Sequence, residues 1–184
     1  MARFRLLDTP EDRFEALYAE HYGRVLAYVL RRAPAAVASD VVADVFLVAW
    51  RRLEQVPDDP VPWLLGVARK TLANERRSGR RRAALVDALK DTKRDVDTPA
   101  GEQLQTLAEV VARLGETDRE LLKLVAWDGL TAREAATVLG ISHAACRVRL
   151  HRARRRLSRE LGAHSESRST LSSVPRLDAR KEAR

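Results

Sequence analysis

The segment Leu130-Thr131-Ala132-Arg133-Glu134-Ala135-Ala136-Thr137-Val138-Leu139-Gly140-Ile141-Ser142, followed by arginine-rich sequence as far as Leu161, leaves this part of the chain little choice of fold. Thr131 and Glu134 have the spacing of a capping box, in which each side chain satisfies a backbone N–H left without a partner at a helix start. Gly140 suits the left-handed backbone that ends a helix, and Ser142 can cap the next one. Two capped helices joined by so short a turn predict a helix-turn-helix, whose second helix is shaped to enter a DNA major groove.

The residues of that second helix divide by angle. Cys146, Leu150, Ala153 and Leu157 recur at steps of four, three and four, which places them on one apolar stripe. At about 100° per residue the opposite face carries Ala144, Val148, His151 and Arg155, flanked by Arg147 and Arg152. Groove-entering helices use their first turns for base edges and their later turns for phosphates. His143, Arg147 and His151 are therefore candidate base readers, and Arg152, Arg154, Arg155 and Arg156 candidate phosphate clamps. Thr131, Ser142 and Val148 complete the expected contact set.

Composition narrows the class of partner. The chain has 184 residues, enough for one domain or two small ones. It carries 34 Lys and Arg against 26 Asp and Glu, a net charge of +8, which points to a polyanion. Arginine concentrates in two blocks, Arg69 to Arg82 and Arg147 to Arg159, each at the end of an apolar region, as two separate DNA footprints would be. No apolar run is long enough to span a bilayer, and Met1-Ala2-Arg3-Phe4-Arg5 is not followed by a signal core, so a cytoplasmic location is expected. Cys146 is the only cysteine, which rules out an internal disulfide and a cysteine-based zinc site; its place on the apolar stripe makes it a core residue. The sequence offers no glycine-rich phosphate loop and no internal repeat. No catalytic residue, metal site, cofactor or small-molecule substrate is expected.

Upstream, the chain reads as helical from about Phe14 to Arg82. Phe14, Leu17, Tyr18, Val25, Leu26 and Val29 fall at helical spacing, with an end expected near Ala33-Pro34. Ser39 or Asp40 is the expected cap of a second helix with Val42, Val45, Phe46, Ala49 and Leu53 on its apolar face. Val56-Pro57-Asp58-Asp59-Pro60-Val61-Pro62 reads as a stiff loop. A third helix is expected from Pro62 or Trp63, through Leu64, Val67, Ala68, Leu72 and Ala73, into Arg76-Arg77-Ser78-Gly79-Arg80-Arg81-Arg82. The predicted organisation is all-α: two small helical domains at 10–82 and 104–161, a flexible acidic linker at 83–103, and a disordered tail at 162–184.

Two helical domains, each ending in arginines, resemble the short alternative sigma factors of bacterial RNA polymerase, the extracytoplasmic-function branch of the sigma-70 family. The resemblance covers about Phe14 to Leu161 and rests on three motifs. Asp40-Val41-Val42-Ala43-Asp44-Val45-Phe46-Leu47-Val48-Ala49-Trp50-Arg51 is similar to the polymerase-binding helix of sigma region 2. Pro62-Trp63-Leu64-Leu65-Gly66-Val67-Ala68-Arg69-Lys70 is similar to the start of the helix that reads and melts the minus-ten element. Ile141-Ser142 through Arg147-Val148-Arg149-Leu150-His151-Arg152-Ala153-Arg154 is similar to the minus-35 recognition helix of region 4. The chain departs from the pattern at Ala43, where glutamine is common, at Lys70, where asparagine is common, and at Ala144-Ala145-Cys146, where glycine, threonine and valine are usual. Lys70 should favour phosphate over base contact, and the last departure bears on which bases are read.

The resemblance implies a protein that does no covalent chemistry: it delivers core polymerase to a promoter and helps open the duplex. Asp40, Asp44, Phe46, Val48, Trp50 and Arg51 would grip polymerase, whose β′ and β subunits are the expected partners together with promoter DNA and an anti-sigma factor. For Phe46 and Trp50 core packing is an equal alternative, and for Asp40 the alternative is a helix cap. Arg69, Lys70, Arg76, Arg77 and Arg80 would hold phosphates on the minus-ten side, and Asn74 offers donor and acceptor to a base edge. The linker would thread through polymerase, or serve only as a solvated tether. Aromatic residues normally stack on freed bases, yet none lies between Leu64 and Arg82, and Trp63 reads as a core anchor. Melting is therefore expected to rely on capture of one or two bases. Three other readings fit less well. A two-component or quorum-sensing regulator would need a receiver or ligand domain upstream, and a small recombinase would need a positioned nucleophile or carboxylate set. An adaptor or anti-sigma protein that binds polymerase alone would leave the two arginine blocks unexplained.

Overall fold

A computed structural model describes residues 9–87 and 113–172, with side chains at 9–81 and 113–159. Every regular element among the described residues is helical. Six α-helices follow in order: α1 (Pro10–Leu30), α2 (Ala35–Arg51), α3 (Pro60–Asp87), α4 (Glu116–Ala126), α5 (Ala132–Leu139) and α6 (His143–Ser172), with a 3-10 turn at Leu53–Gln55. Residues 88–112, which hold most of the expected linker at 83–103 and the start of the second expected domain, lie outside the described residues.

Local chemistry explains most boundaries. The Thr9 hydroxyl accepts from the Asp12 amide, Pro10 opens α1, and Glu11 and Asp12 sit where the helix dipole favours negative charge. α2 begins at Ala35, after Pro34, and not at Ser39 or Asp40. The alanine-rich run Ala35-Ala36-Val37-Ala38 is already a good helix former, so both polar residues become exposed interior positions and neither caps. α1 ends at Leu30, a turn before the expected stop. α3 begins at Pro60, two residues early, because prolines in a first turn lack only N–H groups that have no helical acceptor.

Two helices run further than their composition suggested. α3 continues to Asp87, into the start of the expected linker, and α6 reaches Ser172, through the first part of the expected disordered tail. Extending a formed helix costs far less than nucleating one, and neither segment contains a proline to stop it. Residues 173–184 lie outside the described residues.

The helices pack as two three-helix units, α1–α2–α3 and α4–α5–α6. The units are not separate bodies: α3 also packs on α5, and buried residues from Leu17 to Leu150 form one continuous apolar cluster. Gly66 of α3 faces the α5 backbone at this contact, where a Cβ would meet the Val138 Cα at 3.7 Å, an ordinary van der Waals distance.

Candidate nucleic-acid interface

The turn between α5 and α6 is built as its residues require. The Glu134 amide donates to the Thr131 hydroxyl at 3.3 Å, and the Thr131 amide and hydroxyl donate to the Glu134 carboxylate at 2.6 and 2.7 Å. These bonds hold the Glu134 carboxyl below its ordinary range, the backbone bond most of all. Gly140 takes φ +67°, and the Ser142 hydroxyl accepts from the Ala145 amide at 3.2 Å. Both hydroxyl oxygens accept cap bonds that help to aim α6, and the exposed Ser142 hydroxyl keeps its own proton to donate.

α6 buries Cys146, Leu150 and Ala153 against α4 and α5, and burial pushes the Cys146 thiol up. Rotating that stripe inward turns His143, Ala144, Arg147, Val148, His151, Arg152, Arg154, Arg155 and Arg156 to the exterior. Val148 is 50% exposed, an apolar side chain on an otherwise polar and cationic face. Arg149 differs from its neighbours in lying 3.8 Å from Asp118 of α4.

The second basic surface lies along α3. Lys70, Asn74, Arg76, Arg77 and Arg80 are exposed and Arg69 half-buried. Five of these, all but Arg80, line a cleft of about 710 Å³ whose far wall is α4, with Glu116, Thr117, Arg119, Glu120 and Lys123. Arg76 donates to the Arg32 carbonyl at 2.8 Å across the mouth of this cleft. Burial, reinforced by Arg32, Arg119 and Arg76, lowers the Lys123 ammonium despite the opposing pull of Glu120.

On α2, Asp40, Asp44 and Arg51 are exposed and Val48 is half-buried; Asp44, Val48 and Arg51 share a shallow groove with Asn74. Trp50 is 40% exposed, whereas Phe46 is 2% exposed and packs against Tyr18 with ring centroids 4.7 Å apart. Of the two roles weighed for Phe46, its position favours the core, since so little of it reaches the surface. Trp63 is half-buried and packs on the apolar cluster.

One cluster could not be read from the sequence. Arg32 is buried at the end of α1, where its guanidinium donates to Glu120 at 2.8 Å and to Asp128 at 2.6 Å. It also lies 3.6 Å over the Tyr28 ring, and the Tyr28 hydroxyl donates to Glu120 at 3.1 Å. Arg31 bonds the other Asp128 oxygen, and Arg24 reaches the Asp128 carbonyl at 3.5 Å. Burial and then the Glu120 charge raise the Tyr28 hydroxyl well above its ordinary value. Burial alone would lower Arg32, but Tyr28, Asp128 and Glu120 outweigh it and hold the guanidinium charged. The only sequence sign was Asp128-Gly129, which reads as a helix stop; Gly129 indeed turns the chain at φ +68°.

Among the described residues no group of three or more His, Cys, Asp and Glu is placed to hold a metal ion, and no helix is long and apolar enough to cross a membrane. The sequence profile of Sigma-70 region 2 matches residues 17–82, and that of Sigma-70, region 4 matches residues 104–157. The chain is 34% identical over 158 residues to the ECF RNA polymerase sigma factor SigL of Mycobacterium tuberculosis, covering 80% of this chain and 89% of SigL. It is 35% identical over 170 residues to the RNA polymerase sigma factor CnrH of Cupriavidus metallidurans, covering 83% of this chain and 88% of that one. A solved structure of CnrH in complex with the cytosolic domain of CnrY matches with a TM-score of 0.55 at 28% identity, over 83% of this chain and 90% of that one.

Proposed function

Since this chain belongs to the sigma-70 family, as a sigma factor of the extracytoplasmic-function branch, we propose that it binds core RNA polymerase and directs initiation at promoters by reading a minus-ten and a minus-35 element. The observation that carries this reading is the pairing of two exposed cationic helices, α3 and α6, one in each matched region. α6 reads the upstream element: Arg147, His143 and His151 meet base edges, and Arg152, Arg154, Arg155 and Arg156 meet phosphates. Val148 and Ala144, one turn apart, supply the apolar contact that suits a thymine methyl group. Thr131 and Ser142 hold the helix at its docking angle.

α3 acts on the downstream element. Arg69, Lys70, Arg76, Arg77 and Arg80 hold strand phosphates while Asn74 meets a base. The β′ and β subunits of polymerase take the α2 surface of Asp40, Asp44, Val48, Trp50 and Arg51. In this reading the chain itself forms and breaks no covalent bond and acts in the cytoplasm. A regulatory protein partner, an anti-sigma factor, belongs to the same proposal, favoured by the complex of the relative CnrH with the cytosolic domain of CnrY.

The test adds the purified chain to core polymerase and maps transcripts from genomic fragments. Sigma function requires specific start sites that depend on this chain alone. Initiation only in the presence of another sigma factor would overturn the proposal in favour of an activator, and cleavage of DNA without polymerase would overturn it in favour of a nuclease.

A further inference from the structure

The cleft between α3 and α4 carries more positive charge than the residues around it neutralise. α3 contributes Arg69, Lys70, Arg76 and Arg77 to its lining, and α4 contributes Arg119 and Lys123. Glu116 and Glu120 are the carboxylates there. Glu120 is already engaged, since it accepts from Arg32 at 2.8 Å and from the Tyr28 hydroxyl at 3.1 Å. Among the described residues no carboxylate pairs with Arg69, Lys70, Arg77 or Lys123. Lys123 is half-buried; burial lowers its ammonium, Glu120 opposes this, and Arg32, Arg119 and Arg76 lower it further. A cleft lined by one sign of charge and walled by packed helices focuses its field on an anion that enters. The promoter contacts proposed above leave the α4 wall unused.

Size and spacing narrow the anion. The volume of about 710 Å³ falls inside the roughly 300–1,000 Å³ of small-molecule sites. Arg69 and Arg77 are eight positions apart on α3, about 12 Å along its axis, and Lys123 stands on the opposite wall. A single phosphate group meets these charges at one point, whereas a chain of linked phosphates meets them along that length. A guanidinium takes two phosphate oxygens at once and an ammonium acts as a point charge, so the mixture suits neighbouring phosphate groups. Asn74 and Thr117, on facing walls, offer uncharged hydrogen-bonding groups beside the cations.

We propose that the α3–α4 cleft is a binding site for a polyphosphate anion, an inorganic chain or the triphosphate of a nucleotide, held between Arg69 and Arg77 on one wall and Lys123 on the other. The geometry of the site does not depend on the sigma-factor reading. Within that reading, a bound polyphosphate occupies cations that α3 otherwise offers to strand phosphates.

Isothermal titration calorimetry of the full chain, at physiological salt and without added divalent cations, tests the site with tripolyphosphate, ATP, AMP and inorganic phosphate as separate titrants. Tripolyphosphate and ATP should bind saturably at one site per chain, about tenfold or more tightly than AMP or inorganic phosphate. Equal affinity for the two assigns recognition to the phosphate chain alone, and tighter binding of ATP assigns a nucleotide. Lys123→Gln, which leaves the α3 cations in place, should weaken binding about tenfold. Arg152→Gln removes the same charge from the exposed face of α6 and should change it by about twofold at most. If circular dichroism shows that Lys123→Gln loses helical content, Arg77→Gln takes its place with the same expected loss. Absence of saturable binding, several sites per chain, or equal losses in the cleft and α6 variants would overturn the site in favour of diffuse attraction to a basic protein. Lys123-dependent binding of a single-stranded oligonucleotide, with none of tripolyphosphate or ATP, would overturn it in favour of a nucleic-acid strand. The polyphosphate titrations contain neither DNA nor polymerase, so a chain inactive in initiation would defeat the sigma reading and leave this result standing.

Discussion

Arg147 and Val148 stand side by side on α6 yet make separable demands on DNA. A guanidinium on a guanine edge contributes about 1–3 kcal/mol of discrimination. Arg147→Ala is therefore expected to weaken binding to the upstream duplex by roughly 5- to 150-fold while leaving affinity for core polymerase unchanged; a parallel loss of both would place Arg147 elsewhere. Val148 should respond to a methyl group. Replacing thymine by deoxyuridine in the upstream element should weaken wild-type binding, and the same replacement should have no effect on Val148→Ser. Equal sensitivity of the two proteins would remove Val148 from the contact. The capping box makes a third demand, on pH. Because folding lowers the Glu134 carboxyl, its stabilisation is complete above the ordinary carboxylate value and is lost as pH falls through the lowered one. Thr131→Ala should cost about 1 kcal/mol near neutrality, and the deficit against wild type should shrink in urea titrations taken below that acidic window.

At the scale of elements, the α5–α6 turn depends on Gly140 at φ +67°. A side chain there costs about 1–2 kcal/mol, so Gly140→Val should lower thermal stability and DNA affinity together while α1–α3 retain their helical signal. α3 brings no aromatic residue downstream of Trp63 to stack on freed bases. Opening should then depend strongly on the captured base: substituting a key minus-ten base should abolish permanganate reactivity in the open complex, and melting that tolerates such substitutions would contradict the capture mechanism. The helix-turn-helix was legible because its information is local, with Thr131, Glu134, Gly140 and Ser142 each acting within four residues of its partner. The ends of α3 and α6 were less legible, because composition reports whether a segment can start a helix and says little about whether a formed helix will continue through it.

For the whole molecule, one continuous apolar cluster runs through both regions. It predicts a single cooperative unfolding transition rather than two, followed by Trp63 in the first region and Trp127 in the second. Leu65 is 1% exposed beside the Gly66 contact, so Leu65→Ala should cost about 2–5 kcal/mol and shift both probes equally. Two transitions with separate midpoints would show the regions to be independent.

Periodicity and capping chemistry determined the helices, the buried stripe through Cys146 and the outward face of Arg147 and His151, because each follows from residues one or two turns apart. The family likewise followed from motifs in order along the chain. The tertiary structure alone decided that Phe46 lies inside and that the two DNA-reading regions share a core. Arg32 and Asp128 are 96 positions apart, and nothing in the chain near either one records the other. Their pairing depends on α3 docking on α5, a long-range event that a local pattern cannot express.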